Sequence, residues 1–283
     1  MSAALTLAVA AAVLLGASDF YAARAARTTA SITVTRTAVL TSAVLSPLLL
    51  LVVDSHWILK DSILGAVGGL AMITGLMFLY HGYSVARMGV VAPLSSVLLA
   101  TVPVLWDLIN GIRPGLTSGI GMGLGAIALA LTSYTPGGLG STTISNTTRG
   151  ALLGLASGMA FGIAFTVLGQ ISDRAGLAPS IVQRASGIAL LITIGVVRKE
   201  RFIAEGLART RSAIAGVFGL MGIAALQLAF RKGDAGPVSV ASSQFATVAV
   251  VLSVIFNRER MRWWQAIGVA STALAVALIA AGG

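Results

Sequence analysis

Apolar runs of about twenty residues, separated by short polar connections, recur along the whole chain. Ten can be marked, at approximately 2–23, 31–53, 62–83, 89–109, 116–133, 150–171, 178–197, 210–229, 237–256 and 263–281. A helix needs roughly 20 residues to cross the hydrocarbon core. Backbone groups facing lipid must be satisfied within their own segment, so each run is read as a helix. The connections carry most of the charge. The longest polar one, TPGGLGSTTISNTTRG at 135–150, divides the chain near its middle. The pattern predicts an all-α membrane protein of ten transmembrane helices.

Composition agrees. The 283 residues are 57% hydrophobic and 10% charged, with a mean hydropathy of +0.94. Soluble domains carry about 25% charged residues, so this chain lacks the polar groups to cover a water-facing surface. A net charge of +10 would suggest nucleic acid in a soluble protein. Here the basic residues sit between apolar runs, as loops at an anionic leaflet do, and no nucleic-acid partner is expected. There is no cysteine, which excludes disulfides and thiolate chemistry. His56 and His81 are too few and too scattered for a zinc site, so neither metal nor cofactor is expected. Residues 2–18 lack the basic stretch that opens a signal peptide and are read as part of the first span.

The midpoint invites a comparison of the halves. Residues 69–131 slide over 216–278 at a constant offset of 147 without a gap, with 17 identities in 63 positions. Gly69, Gly75, Gly89, Ser95, Ser96, Asn110 and Arg113 fall on Gly216, Gly222, Gly236, Ser242, Ser243, Asn257 and Arg260. With a shift of about one residue, Gly16 meets Gly162 and Arg36 meets Arg184. Composition bias toward alanine and leucine does not explain matched Asn, Arg and a Ser-Ser pair. The expected organisation is a five-helix repeat at 1–134, a polar linker at 135–149 and a second five-helix repeat at 150–283. Five is odd, so the second copy enters the membrane from the opposite side. Such inverted-topology repeats are characteristic of secondary transporters, which exchange conformations between halves.

Several stretches carry a resemblance. GASDF at 16–20, VARMGVVAPLSS at 85–96, FRKGDAGPVSVASS at 230–243 and NRERMRWWQAIGV at 257–269 resemble the EamA-domain branch of the drug/metabolite transporter superfamily. The first half departs from that family's Glu-Arg pair, having Ile112 before Arg113, and Val240 stands where the family often has proline. The resemblance implies a central cavity walled by helices 1, 3, 4, 6, 8 and 9, with helices 5 and 10 peripheral. It also implies export of amino acids, drugs or other small metabolites.

The candidate cavity residues are Asp19, Tyr80, Ser95, Ser96, Gln227, Ser242, Ser243 and Gln244. Asp19 is the first charged side chain of the chain and lies inside an apolar run. A charge near the bilayer centre costs from about 2.5 to over 10 kcal/mol, so such groups usually face a cavity. Asp19 is therefore a candidate for both substrate contact and proton coupling, against a plainer reading in which it meets water or Arg24. Tyr80 and Gln227 are equivalent in helices 3 and 8, with helix-to-helix hydrogen bonding as the alternative. The serines and Gln244 are placed in the first turns of helices 4 and 9, where serine is also a packing residue. Pro103 is expected to loosen helix 4 ahead of Trp106 and Asp107. The ladders Gly150, Gly154, Gly158, Gly162 and Gly115, Gly119, Gly123 are read as close-packing faces of helices 6 and 5. Arg36 and Arg184 are read as snorkelling anchors, and Trp106, Trp263 and Trp264 as interfacial ones.

The function expected is a secondary transporter exporting small organic metabolites, amino acids foremost, across the cytoplasmic membrane by alternating access, with a monomer sufficient. The alternative within this fold is a multidrug or cation exporter. A membrane enzyme would need a convergent nucleophile, base or metal set, and the spans offer isolated Asp, Tyr and Ser instead. A channel would need filter rings about an oligomeric axis. The loops after helices 1, 3, 5, 7 and 9 hold most of the 19 basic residues, which places both termini outside. The resemblance places both inside. An even number of spans makes the two termini agree. Reporter tags at residues 1 and 283 are expected to report the same side, and opposite sides would remove a span from the count.

Overall fold

The computed structural model describes residues 3–86, 88–133, 144–198, 202–257 and 263–281. Among these the protein is all-helical. The helices are α1 (Ala3–Ala26), α2 (Ser31–Leu45), α3 (Leu59–Val85), α4 (Met88–Ile109), α5 (Leu116–Ser133), α6 (Ile144–Leu168), α7 (Ala178–Arg198), α8 (Gly206–Phe230), α9 (Ala235–Ser243), α10 (Phe245–Asn257) and α11 (Trp263–Ala281). Seven segments of the described residues are long and apolar enough to cross a membrane, counting α2 with the turn after it and α9 with α10. The stretches Leu94–Ile109 within α4 and Leu116–Ala128 within α5 are apolar too. Most of the linker expected at 135–149 lies outside the described residues, as do Arg87, Lys199, Arg201, Arg258, Arg260 and Arg262.

Two expected spans are not single α-helices. The second gives way to a 3-10 turn at Ser46–Leu51, where Pro47 stands at the start and has no amide hydrogen for the α-helical ladder. The ninth breaks at Gln244, whose ψ is 0°. Three side chains compete there for the helix carbonyls. Ser242 Oγ donates to Val238 O at 2.8 Å, Ser243 Oγ to Val240 O at 2.8 Å, and Gln244 Nε2 to Val240 O at 3.2 Å. Such back-bonding bends helices. The break places these residues mid-span and not in a first turn, which corrects the sequence expectation for them. Ser95 and Ser96 likewise sit two turns into α4. That helix runs unbroken past Pro103.

Packing follows a recurring scheme. α1 packs on α8 and α6 on α3; α9 and α10 pack on α1 and α4 on α6; α2 packs on α8 and α7 on α3; α5 pairs with α11. Glycines set these approaches. A Cβ at Gly69 would lie 2.3 Å from the Gln183 carbonyl of α7, and one at Gly216 equally close to the Ala38 carbonyl of α2. One at Gly75 would strike Phe161 of α6, and one at Gly222 would strike Leu15 of α1. The α6 ladder meets α4 and the chain before it, with Gly154 against the Val91 carbonyl, Gly158 against that of Ser95 and Gly162 against Val102. The ladder expected on α5 is different. A Cβ at Gly119 or Gly123 would meet nothing within 4 Å. Small residues at four-residue spacing leave room, and α5 leaves that room open.

Gly158→Leu is expected to force α4 and α6 apart and cost about 1–3 kcal/mol or more by overpacking. Gly119→Leu is expected to be tolerated. Thermal unfolding of the two purified variants in detergent checks the contrast, and equal stability would refute the packing assignment.

Candidate functional site

The central cavity is built from one stripe of each surrounding helix. α3 contributes Met72, Leu76, Leu79 and Tyr80; α8 contributes Ala215, Gly216, Gly219 and Ile223; α1 contributes Leu15, Ser18 and Asp19. Spacings of three, four and seven put each set on one helical face. α2 adds Ala38, Val39 and Ser42, α6 adds Phe161 and Phe165, and single residues enter from α4 (Leu99), α7 (Arg184) and α10 (Phe245). The wall therefore includes α2 and α7 beyond the helices implied by resemblance. Its volume is about 60 Å³, room for a few waters.

Asp19 is 6% exposed and lines this space seven residues before the end of α1. Its Oδ2 has no hydrogen-bond partner. The Tyr83 hydroxyl faces the carboxyl without a formed hydrogen bond. Arg24 does not serve as its partner, because that guanidinium stacks over the Phe20 ring at 5.4 Å. Tyr80 lines the cavity with Asp19, Ser18 and Arg184, and its ring stacks on Tyr83 at 6.2 Å between centroids. Ser18 Oγ donates to Ala215 O at 2.8 Å, tying α1 to α8 beside the acid.

Arg184 was expected to anchor at the interface and does not. It is 5% exposed, lines the same cavity, and donates from Nη2 to Gly219 O at 3.2 Å, halfway along α8. Its Nε has no partner. Arg36 is also buried, at 0% exposure, with its guanidinium over the Phe202 ring at 5.5 Å. The anchor reading placed both near helix starts, but each lies more than a turn inside, deep enough to meet neighbouring helices before water. Trp263 is exposed and Trp106 partly so, as interfacial residues are.

The other candidates lie elsewhere. Gln227 accepts a hydrogen bond from Ser180 Oγ and donates to Gly176 O at 3.1 Å, so its amide joins α8 to the start of α7. Ser95 belongs to a relay between helices. Ser157 Oγ donates to Gly75 O at 2.9 Å, which leaves Ser95 as the donor in the 3.1 Å contact between the two hydroxyls. Ser96 is buried with its hydroxyl unpartnered, and Ser242 is buried and tied back to its own helix. Gln244 abuts Gly125 of α5. Ser243 borders a second cavity of about 300 Å³ between α4, α5 and α9, whose other walls include Val97, Val104, Gly119, Met122, Gly123 and Val240. The structure thus brings together Asp19 and Tyr80, and adds Ser18, Tyr83 and Arg184. Tyr83 was detectable as the i+3 neighbour of Tyr80 on the same helical face. Arg184 was detectable as a charge seven residues into an apolar run.

Gln227→Ala is expected to cost roughly 1 kcal/mol, within the range of interhelical hydrogen bonds in membranes. It should lower the unfolding temperature of the purified protein and leave ligand affinity unchanged. Unaltered stability with lost transport would instead place Gln227 in the pathway.

Residues 148–281 match the family model described as the EamA-like transporter family. No curated protein matches the chain. Among solved structures 27 chains match. One crystal structure superposes with a TM-score of 0.75 at 15% sequence identity, covering 98% of this chain and 96% of that one. At that identity the likeness establishes the fold alone.

Proposed function

We propose that this chain, whose residues 148–281 match the EamA-like transporter family, is a secondary transporter exporting small organic metabolites, amino acids foremost, across the cytoplasmic membrane. The observation that carries the reading is a cavity walled by helices of both halves, with an acid, a base and a tyrosine buried around it. Residues 1–134 and 150–283 act as two inverted five-helix repeats. The mirrored packing supports this, since glycines equated by the internal alignment stand at equivalent interfaces: Gly69 on α7 and Gly216 on α2, Gly75 on α6 and Gly222 on α1. Exchange of the two halves' conformations opens the cavity to alternate sides. Asp19 and Tyr80 are its substrate contacts, and Asp19 also carries the coupling proton. Moving a bare carboxylate through a dry intermediate is costly, so its charge must change during the cycle.

Expression in a host challenged with inhibitory amino acids or their analogues should raise tolerance and extracellular accumulation. No export across a broad amino-acid and drug panel would sink the substrate reading. Counter-exchange in liposomes, with no ohmic conductance, separates the carrier from a channel. In the same liposomes Asp19→Asn should remove proton-driven accumulation and its pH dependence, leaving residual exchange. A wild-type rate with wild-type pH dependence would eliminate the proton role.

A further inference from the structure

Two buried groups of opposite charge line one small cavity without pairing. Asp19 is 6% exposed and Arg184 5%, and no ion pair within 4 Å joins them. Each keeps a polar atom without a partner, Oδ2 on the acid and Nε on the base. Tyr80 lines the same cavity and is within electrostatic reach of both. Asp19 comes from α1 and Arg184 from α7, so the two charges belong to different halves of the chain.

Each single-charge ligand leaves a problem. A cation answers Asp19 and sets a like charge near Arg184. An anion answers Arg184 and sets a like charge near Asp19. A neutral solute leaves both charges desolvated and unpaired, the costly state of a broken buried pair. A zwitterion answers both. A guanidinium presents a planar fork suited to a carboxylate, and it still has donors after the bond to Gly219 O. An ammonium has three donors for a carboxylate and a neighbouring tyrosine hydroxyl. Apart from these groups and two serines the wall is apolar, with Leu15, Leu99, Phe161 and Phe165 prominent in it. The cavity in this conformation, near 60 Å³, is smaller than an amino acid, so binding requires the helices to part, and a short side chain asks the least of that movement.

We infer that the cavity is a zwitterion clamp, in which Arg184 takes the carboxylate and Asp19 the ammonium of a small apolar α-amino acid. The inference rests on the transporter reading above and narrows its substrate class. L-Valine is the probe, with isobutylamine as its decarboxylated analogue and isovalerate as its deaminated one.

The full-length protein, purified and reconstituted in liposomes loaded with valine, is tested for counterflow inhibited by each compound. Valine should compete, and both analogues should be weaker by about a hundredfold or more, because each leaves one buried charge unanswered. Arg184→Gln should abolish the preference for valine over isobutylamine, and Asp19→Asn the preference over isovalerate. If either variant fails to fold, the analogue series on the unaltered protein carries the test alone. Isobutylamine or isovalerate competing as well as valine overturns the clamp while amino-acid transport stands. Valine moved with full affinity by Arg184→Gln overturns it in the same way. No exchange of valine, in a preparation that exports another compound of the panel, overturns the clamp together with the amino-acid reading.

Discussion

Helices in hydrocarbon gain little by burying leucine against leucine, since lipid tails are as apolar as the side chains they would replace. Association then depends on how closely backbones approach, and in this fold glycine sets that distance. Where a Cβ at Gly69, Gly158 or Gly216 would fall within 2.5 Å of a neighbouring carbonyl, no other residue fits without moving a helix. These contacts fix α3 on α7, α6 on α4 and α8 on α2. The cavity is what remains inside that frame. Its small volume follows from how tightly the frame is drawn.

Hydrophobic length located the helices because it is a property of each segment alone. The internal match of the sequence was legible for a related reason, since close-approach positions such as Gly69 and Gly216 admit only glycine. Other features depend on neighbours that a linear reading does not supply. The break at Gln244 arises from three side chains competing for the helix carbonyls, and Ser95 with Ser96, the equivalent pair, sits in an unbroken helix. The glycine spacing on α5 is the same as on α6, yet a Cβ at Gly119 or Gly123 would meet nothing within 4 Å, while those at Gly154, Gly158 and Gly162 of α6 would strike α4. Arg184 and Arg36 looked alike as cations near helix starts. Which neighbour each meets, the Gly219 carbonyl or the Phe202 ring, is decided by tertiary packing.

Under the two-repeat reading, equivalent positions line the cavity in pairs. Leu15 and Phe161 both face it, as do Asp19 and Phe165, Met72 and Gly219, and Leu76 and Ile223. The frame is shared while the lining differs. Glycines match where backbones touch, and side chains diverge where a solute would sit. Tyr80 lines the cavity, whereas its counterpart Gln227 is spent on Ser180 and Gly176.

That divergence has an energetic consequence for a carrier built from inverted halves. Were both linings identical, exchanging the conformations of the halves would return the same environment facing the opposite way, and the two states would have equal energy. Here the acid belongs to the first half and the cavity's base to the second, while the base's counterpart, Arg36, is buried at the Phe202 ring. In a carrier of that kind, opening toward one side would hydrate a different member of the charged set from opening toward the other. Under the proposed mechanism the states would be unequal when empty, and a ligand that answers both charges would reduce the difference. The resting preference of such a carrier would arise from the few positions where the copies disagree, its net direction being set by the gradients it couples. The shared glycines would keep the two conformations geometrically interchangeable.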